Sequence, residues 1–456
     1  MQQKTLDCMF AFGLVIAQTL AVLFYGLYFR HIMSWDPVNG AAVNKELFTY
    51  PLFQDVHIMI YVGFGFLLTS FHKFRLSSLT MCFWVAALCV QYYFLFNALW
   101  LGVFNGNFDI PTFGIYPTKL IAGEVSAGAL LIALCAIIGK TNSFQYLIIT
   151  IWGCFLYTLN EQIVMNPVKG LSCRDVGGSM IIHAFGAFYG IGITWMYNYK
   201  DGEGSASKNL HETQDSLSMA MIGTLFLWCF WPSFNGALAS TPQEVFMGIL
   251  NTYFSIIGSV VSAYAASLLA GKGKFTMSHI INATLAGGVV MGSSADIMYE
   301  GWVAYLVGSL SGILSVFLFR YAPGLLGKLG IHDVAGVFNL HAIPGLLGGL
   351  VSAICRAVYI RDGKGGNQVA GAFISVGIGL GGGLIVGLAT KKFHHYSDKN
   401  DYFNDLTTVA FEEVVEEELK LYGHAKSNNQ QERPNAQIHA NHHTQVAPET
   451  ERRKLE

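Results

Sequence analysis

The chain has 456 residues, of which 53% are hydrophobic and 12% charged, about half the charged share of roughly 25% found in soluble domains. Its formal net charge is -2, which leaves no basic surface for nucleic acid. Repeated apolar runs, each about 20 residues long, match the hydrocarbon thickness of a bilayer and exclude an ordinary soluble enzyme. The fold class expected is therefore an all-α polytopic membrane protein.

The first apolar run, about Cys8 to Tyr28, follows a single lysine, Lys4. It is too long for a signal peptide and has no small-residue cleavage site before Arg30, so it reads as a retained span. Twelve spans are expected, at 7–29, 53–71, 78–100, 117–139, 144–166, 176–198, 216–234, 244–269, 276–293, 300–319, 334–355 and 368–392. An even number puts both termini on one side. With the termini inside, twelve lysines and arginines lie in inner segments against eight in outer ones, which favours cytoplasmic termini. The 30–52 loop is then outside and carries no glycosylation signal; Asn282-Ala-Thr284 lies within a span. The eight cysteines lie in or near spans, as small apolar fillers. No CxxC spacing points to a metal, and no metal or cofactor is expected.

Residues 1–395 thus form a transmembrane channel domain, and 396–456 a polar cytoplasmic tail. Valines and a leucine interleaved with Glu412, Glu413, Glu416, Glu417 and Glu418 suit one short amphipathic helix. Beyond Lys426 the composition is that of a disordered segment.

Two spans repeat one pattern. Asp175-Val-Gly-Gly-Ser-Met-Ile-Ile-His183 is echoed by Asp333-Val-Ala-Gly-Val-Phe-Asn-Leu-His341. The pattern recurs five spans on, so the two copies run in opposite directions. Inverted halves with a path at their interface are a common transporter architecture, and a central pore between two such halves is expected here. Ionisable side chains within spans are expensive and mark pathways. A lone buried histidine usually just satisfies a backbone carbonyl; a matched pair argues for function. If each aspartate opens its helix as an N-cap, each histidine lies about 12 Å in, near mid-bilayer. Gly186, Gly190, Gly345 and Gly348 share the histidine faces and are expected to leave a narrow lumen. A dry lumen disfavours the imidazolium. A neutral imidazole has one donor and one acceptor, enough to pass a small neutral molecule but not to replace a cation's hydration shell. Gly379, Gly383 and Gly387 have the four-residue spacing of helix packing.

Five stretches carry a resemblance to the Rhesus (Rh) glycoproteins of the ammonium transporter/Rh superfamily. They are Gly177 to Gly186, Met221 to Trp228, Trp231-Pro-Ser-Phe-Asn235, Asn282 to Gly288, and Asn339-Leu-His341-Ala-Ile-Pro-Gly345. The resemblance implies homotrimers in the lipid bilayer with one pore per subunit, conducting ammonia taken from ammonium. It implies that His183 and His341 are twin pore histidines and that Asp175 and Asp333 belong to the site. It places a gate at Phe234, followed by Asn235, and a vestibule acid at Glu161. A second gate phenylalanine is expected after an acid in span four, where this chain has Glu124-Val125.

Neither a phosphate-binding Gly-x4-Gly-Lys-Ser/Thr nor a nucleophile–base set is present, so no enzyme is read. Two rivals remain: carbon dioxide conduction through the same pore, and a nonconducting sensor or scaffold acting through the tail. The plasma membrane is the expected address, an acidic internal vesicle the alternative.

Overall fold

Eleven helices of the computed structural model are long and apolar enough to cross a bilayer, and a shorter apolar stretch, Met277–Met291, supplies a twelfth crossing among the described residues. These are residues 3–30, 40–106, 113–197, 210–393 and 404–410. The protein is an integral, multi-pass membrane protein, and its twelve crossings fall where hydropathy placed them. A two-residue parallel pairing, Phe29–Arg30 with Phe113–Gly114, is the one non-helical pairing among the described residues.

The ninth crossing is broken. Helices Met277–Ala283 and Ala286–Met291 are separated by Thr284 and Leu285. Such a break survives in a membrane only where neighbouring protein supplies the lost partners. Ser255 and Ser259 of span eight (Pro242–Ala270) do so, donating to the carbonyls of Gly287 at 2.7 Å and Ala283 at 2.8 Å.

Spans four (Pro117–Ala136) and six (Ser179–Tyr197) are the most enclosed, with 83% of each apolar window buried. Span twelve (Gly365–Lys391) seals one side of span six through the expected glycine row. A Cβ on Gly379 would lie 2.6 Å from the Phe185 carbonyl, one on Gly383 2.2 Å from that of Tyr189, and one on Gly387 2.9 Å from Ile193 Cα. Partners four residues apart on both helices make a continuous seam of backbone contact.

Spans six and eleven (Phe338–Ile360) depart from expectation at their starts. The helices begin at Ser179 and Phe338, each several residues after its aspartate. The chain reaches Ser179 through Gly178, whose φ of 70° is left-handed and suits glycine. The first turns, Ser179–Ala184 and Phe338–Ala342, are π-helical, a local widening often found at functional sites. Each histidine therefore sits within the first helical turns rather than eight residues along a helix. The segment from Asp175 to Gly178 is buried, and that from Asp333 to Gly336 is half-buried.

The helical unit extends past residue 395, to Thr408. The Asp405 carboxylate accepts hydrogen bonds from the amides of Arg75 at 3.2 Å, Leu76 at 3.1 Å and Ser77 at 2.7 Å, and from the Ser77 hydroxyl at 2.7 Å. It satisfies the open amides at the start of a 31-residue helix, Arg75–Asn105. The amphipathic helix expected around Glu412 to Glu418 lies outside the described residues.

Gly383→Leu is expected to break the seam between spans six and twelve, because the backbone carbonyl in its way cannot yield. Overpacking of this kind costs about 1–3 kcal/mol and sometimes more. Thermal unfolding and gel filtration in detergent should show a lower Tm and loss of the single folded species.

Candidate pore site

Spans six and eleven cross where both are stripped to small residues. A Cβ on Gly345 would lie 2.6 Å from the Ser179 carbonyl, and one on Gly348 2.5 Å from Ser179 Oγ. The faces of Gly186 and Gly190 are likewise filled, with Cβ positions 2.3 Å and 2.7 Å from the carbonyls of Ala129 and Ala133 in span four. This corrects the expectation of a lumen beside these glycines: their space goes to backbone contact, and the histidines are brought together by it.

The two imidazoles meet directly. His183 Nδ1 and His341 Nδ1 are 3.1 Å apart; the rings are nearly parallel at 11°, with centroids 5.2 Å apart. Both side chains are buried, and His183 Nε2 is buried without a hydrogen-bond partner. On the far side of His183, Trp231 stacks at 5.7 Å and 23°, and the Phe234 ring lies 6.1 Å away. Both belong to span seven (Gln214–Gly236), three residues apart and so on one face. Trp231 is fully buried, against Gly288, where a Cβ would come within 2.5 Å of the indole. In the sequence Trp231 stands out only as part of the Trp231-Pro-Ser-Phe-Asn235 stretch. Its spacing from Phe234 was the signal that both would face His183.

The aspartates fold back over the helix starts. Asp175 accepts from the amides of Met180 at 3.1 Å and Ile181 at 2.8 Å, and from the Ser293 hydroxyl. Asp333 accepts from the amides of Gly336 at 3.1 Å, Val337 at 2.9 Å and Phe338 at 2.8 Å. Each carboxylate thus holds the beginning of the π-turn that carries a histidine, and neither touches an imidazole. Asn235 is a clamp: its Nδ2 donates to Thr252 Oγ1 at 3.0 Å and to the Gly288 carbonyl at 3.0 Å, pinning the end of span seven to spans eight and nine.

Glu161, near the C-terminal end of span five (Ser143–Met165), is held by Asn97 Nδ2 at 2.9 Å and the Tyr93 hydroxyl at 3.2 Å, both on the Arg75–Asn105 helix. Val125, where the resemblance leads one to expect a second gate phenylalanine, is buried in span four. Next to it, Glu124 bonds His57 of span two.

Beside the second imidazole, a cavity is lined by His341, Leu340, Asn282, Ile281, Cys135 and, from the end of span two, Leu67, Leu68 and Ser70. Below it, Lys140 is fully buried in the turn between spans four and five. Its Nζ donates to Thr194 Oγ1 at 2.9 Å and to the His332 carbonyl, anchoring the segment that precedes Asp333. Burial pushes the Lys140 ammonium down to about 7, with the Asp333 carboxylate pulling the other way.

Twelve crossings around an enclosed, self-paired couple of imidazoles, with an aromatic screen on one side and a cavity on the other, define a multi-pass membrane transport protein. Residues 19–397 match the family model described as Ammonium Transporter Family, and the chain belongs to that family. It is 42% identical over 352 residues to Ammonium transporter Rh type A of Bos taurus, covering 76% of this chain and 80% of that protein. To Ammonium transporter Rh type C of Xenopus tropicalis it is 36% identical over 442 residues, 87% of this chain and 91% of the relative. The solved structure of Nitrosomonas europaea Rh50 superposes with a TM-score of 0.71 at 30% identity, covering 84% of this chain and 98% of that one. Mep2 of Saccharomyces cerevisiae shares the fold, with a TM-score of 0.64 at 16% identity.

Two outcomes test this anatomy. Asp333→Ala frees three amides at a helix start and should cost about 2 kcal/mol, the upper part of the range for a lost N-cap; Asp333→Asn should recover part of it in thermal unfolding. The lowered Lys140 value means that the folded protein binds this proton less tightly than the unfolded chain does. Its contribution is therefore unfavourable below about pH 7 and is relieved as pH rises toward the ordinary lysine value of roughly 10. Stability compared at pH 7 and pH 9 should rise less steeply in Lys140→Met than in the wild type.

Proposed function

We propose that this protein conducts ammonia, the ammonium ion giving up its proton before neutral ammonia enters the pore. The observation that carries the reading is the bond between the two histidine Nδ1 atoms together with the bare Nε2 of His183. In a neutral pair one ring must donate from Nδ1 and the other accept. The donor ring then has a lone pair at Nε2, and the acceptor ring an N–H at Nε2. Whichever way the proton lies, the pair offers one acceptor end and one donor end.

Ammonia, with three N–H groups and one lone pair, fits both ends. Ammonium has no lone pair and is met by an N–H at one end. Carrying its charge through the centre of the bilayer would also cost several kcal/mol. Carbon dioxide only accepts hydrogen bonds and fits only the donor end. The geometry therefore favours ammonia over both.

Glu161 supplies a local negative field that draws ammonium to the outer mouth. Phe234 and Trp231 narrow the approach and keep water out, raising the barrier to a bare ion. His183 and His341 pass ammonia to the inner cavity, where it is reprotonated. Asp175, Asp333 and Asn235 hold the site in shape rather than bind the substrate. Flux runs down the gradient, and the transport is electroneutral. The homotrimer with one pore per subunit is carried over from the family resemblance, and the plasma membrane likewise.

His183→Ala or His341→Ala removes a hydrogen bond worth about 1 kcal/mol, and ammonia flux should fall about fivefold. Stopped-flow internal alkalinisation of proteoliposomes measures this, with gel filtration to verify assembly. Unchanged flux in both variants would remove the pore assignment. Solid-supported membrane recordings should show no sustained current scaling with ammonium.

A further inference from the structure

A second polar pair, a buried glutamate and a half-exposed histidine, joins spans two and four and has no part in the mechanism so far. Glu124, 4% exposed, bonds His57 across 67 residues of sequence, Oε1 to Nδ1 at 2.8 Å. Its other oxygen, Oε2, is buried without a partner. His57 has a side chain 50% exposed and rests against the rings of Phe53 at 5.4 Å and Tyr61 at 4.7 Å. A buried acceptor left bare is destabilising, the more so if charged. Among the described residues seven buried side-chain atoms are bare, and Glu124 Oε2 is one of the two carboxylate oxygens among them.

The pair can be placed against the pore. On span two, Asp55 accepts from Ser233 Oγ at 2.6 Å; Ser233 precedes Phe234, and Asp55 is two residues before His57. On span four, Gly128 lies one turn beyond Glu124, and a Cβ there would meet Ile60 at 3.3 Å and Ile182, the neighbour of His183, at 3.9 Å. Glu124 thus stands about one helical turn, roughly 6 Å, outward of the residue beside His183, near the Phe234 level. Its successor, Val125, carries a short side chain where the resemblance leads one to expect a phenylalanine.

We propose that Glu124 Oε2 is an ammonium subsite and proton acceptor at the outer end of the constriction, with His57 as the positioning residue that holds the carboxylate by its other oxygen. The inference rests on the ammonia-channel reading above and adds the residue that takes the proton. Ammonium donates an N–H to Oε2. That N–H bond breaks with its electron pair left on nitrogen, and an O–H bond forms on Oε2. The products are ammonia and a neutral carboxyl group, so no net charge moves inward. Ammonia goes on toward His183 Nε2. The carboxyl group then loses its proton to water of the outer mouth, and the carboxylate is restored.

The test is the rate of internal alkalinisation in proteoliposomes of the full chain, measured against external ammonium concentration. Glu124→Gln should lower the maximal rate about tenfold, because the amide cannot take the proton, and should raise the half-saturating concentration as well. Glu124→Asp should recover most of both, and His57→Gln should give smaller changes in the same directions. The inference is overturned if the wild-type rate never saturates, if Glu124→Gln saturates as the wild type does, or if half-saturation and maximal rate are lost together with no recovery in Glu124→Asp. Should Glu124→Gln fail to assemble, His57→Gln decides: an unmoved half-saturation refutes the proposal. A wild-type protein no faster than empty liposomes would instead refute the channel reading itself.

Discussion

One hydrogen bond between two imidazoles sets the terms for the centre of this molecule. For His183 and His341 to meet at 3.1 Å, two helices of opposite direction must cross at backbone distance. That requires glycine at Gly345 and Gly348, since any side chain would strike Ser179. It also leaves the first amides of both helices in need of acceptors. Asp175 and Asp333 provide them. Remove the imidazole pair from the design and neither the glycines, nor the π-turns, nor the buried carboxylates have a common reason to be there.

The polar groups around that centre are mostly devoted to irregular backbone. Ser255 and Ser259 complete the broken ninth crossing, Asn235 ties span seven to it, and Ser179 Oγ reaches the Val289 carbonyl at 2.7 Å. In hydrocarbon every such carbonyl would otherwise be an unpaid desolvation of several kcal/mol. This contrast makes the exceptions informative. His183 Nε2 and Glu124 Oε2 are among the seven buried side-chain atoms without a hydrogen-bond partner among the described residues.

Much of this was legible in the sequence, and the limits have physical causes. Hydropathy located the crossings because length and apolarity are set by the bilayer. The Asp-x7-His echo located the histidines because inverted halves repeat their pattern. The helix starts were misplaced because the residues between each aspartate and its helix are small and apolar, and composition cannot separate a buried coil from a helix. The glycines near the histidines were assigned to a lumen because spacing reveals a face, not what lies against it; the glycine row of span twelve succeeded because helix packing is what that spacing most often means. Trp231 and the His57–Glu124 pair were missed as site features. The first needed the stacking geometry, and the second joins residues 67 positions apart.

The carboxylate of Asp405, folded onto the start of the Arg75–Asn105 helix, redraws the end of the membrane unit. Hydropathy stops the unit at the last apolar crossing, but electrostatics carries it on to Thr408. A chain severed at the hydropathic edge would leave a bilayer-crossing helix with uncapped amides, whereas one severed after Thr408 would keep them covered. The packed body therefore reaches beyond its apolar profile, fastened at Ser77 by an acid from the polar segment that follows the last crossing.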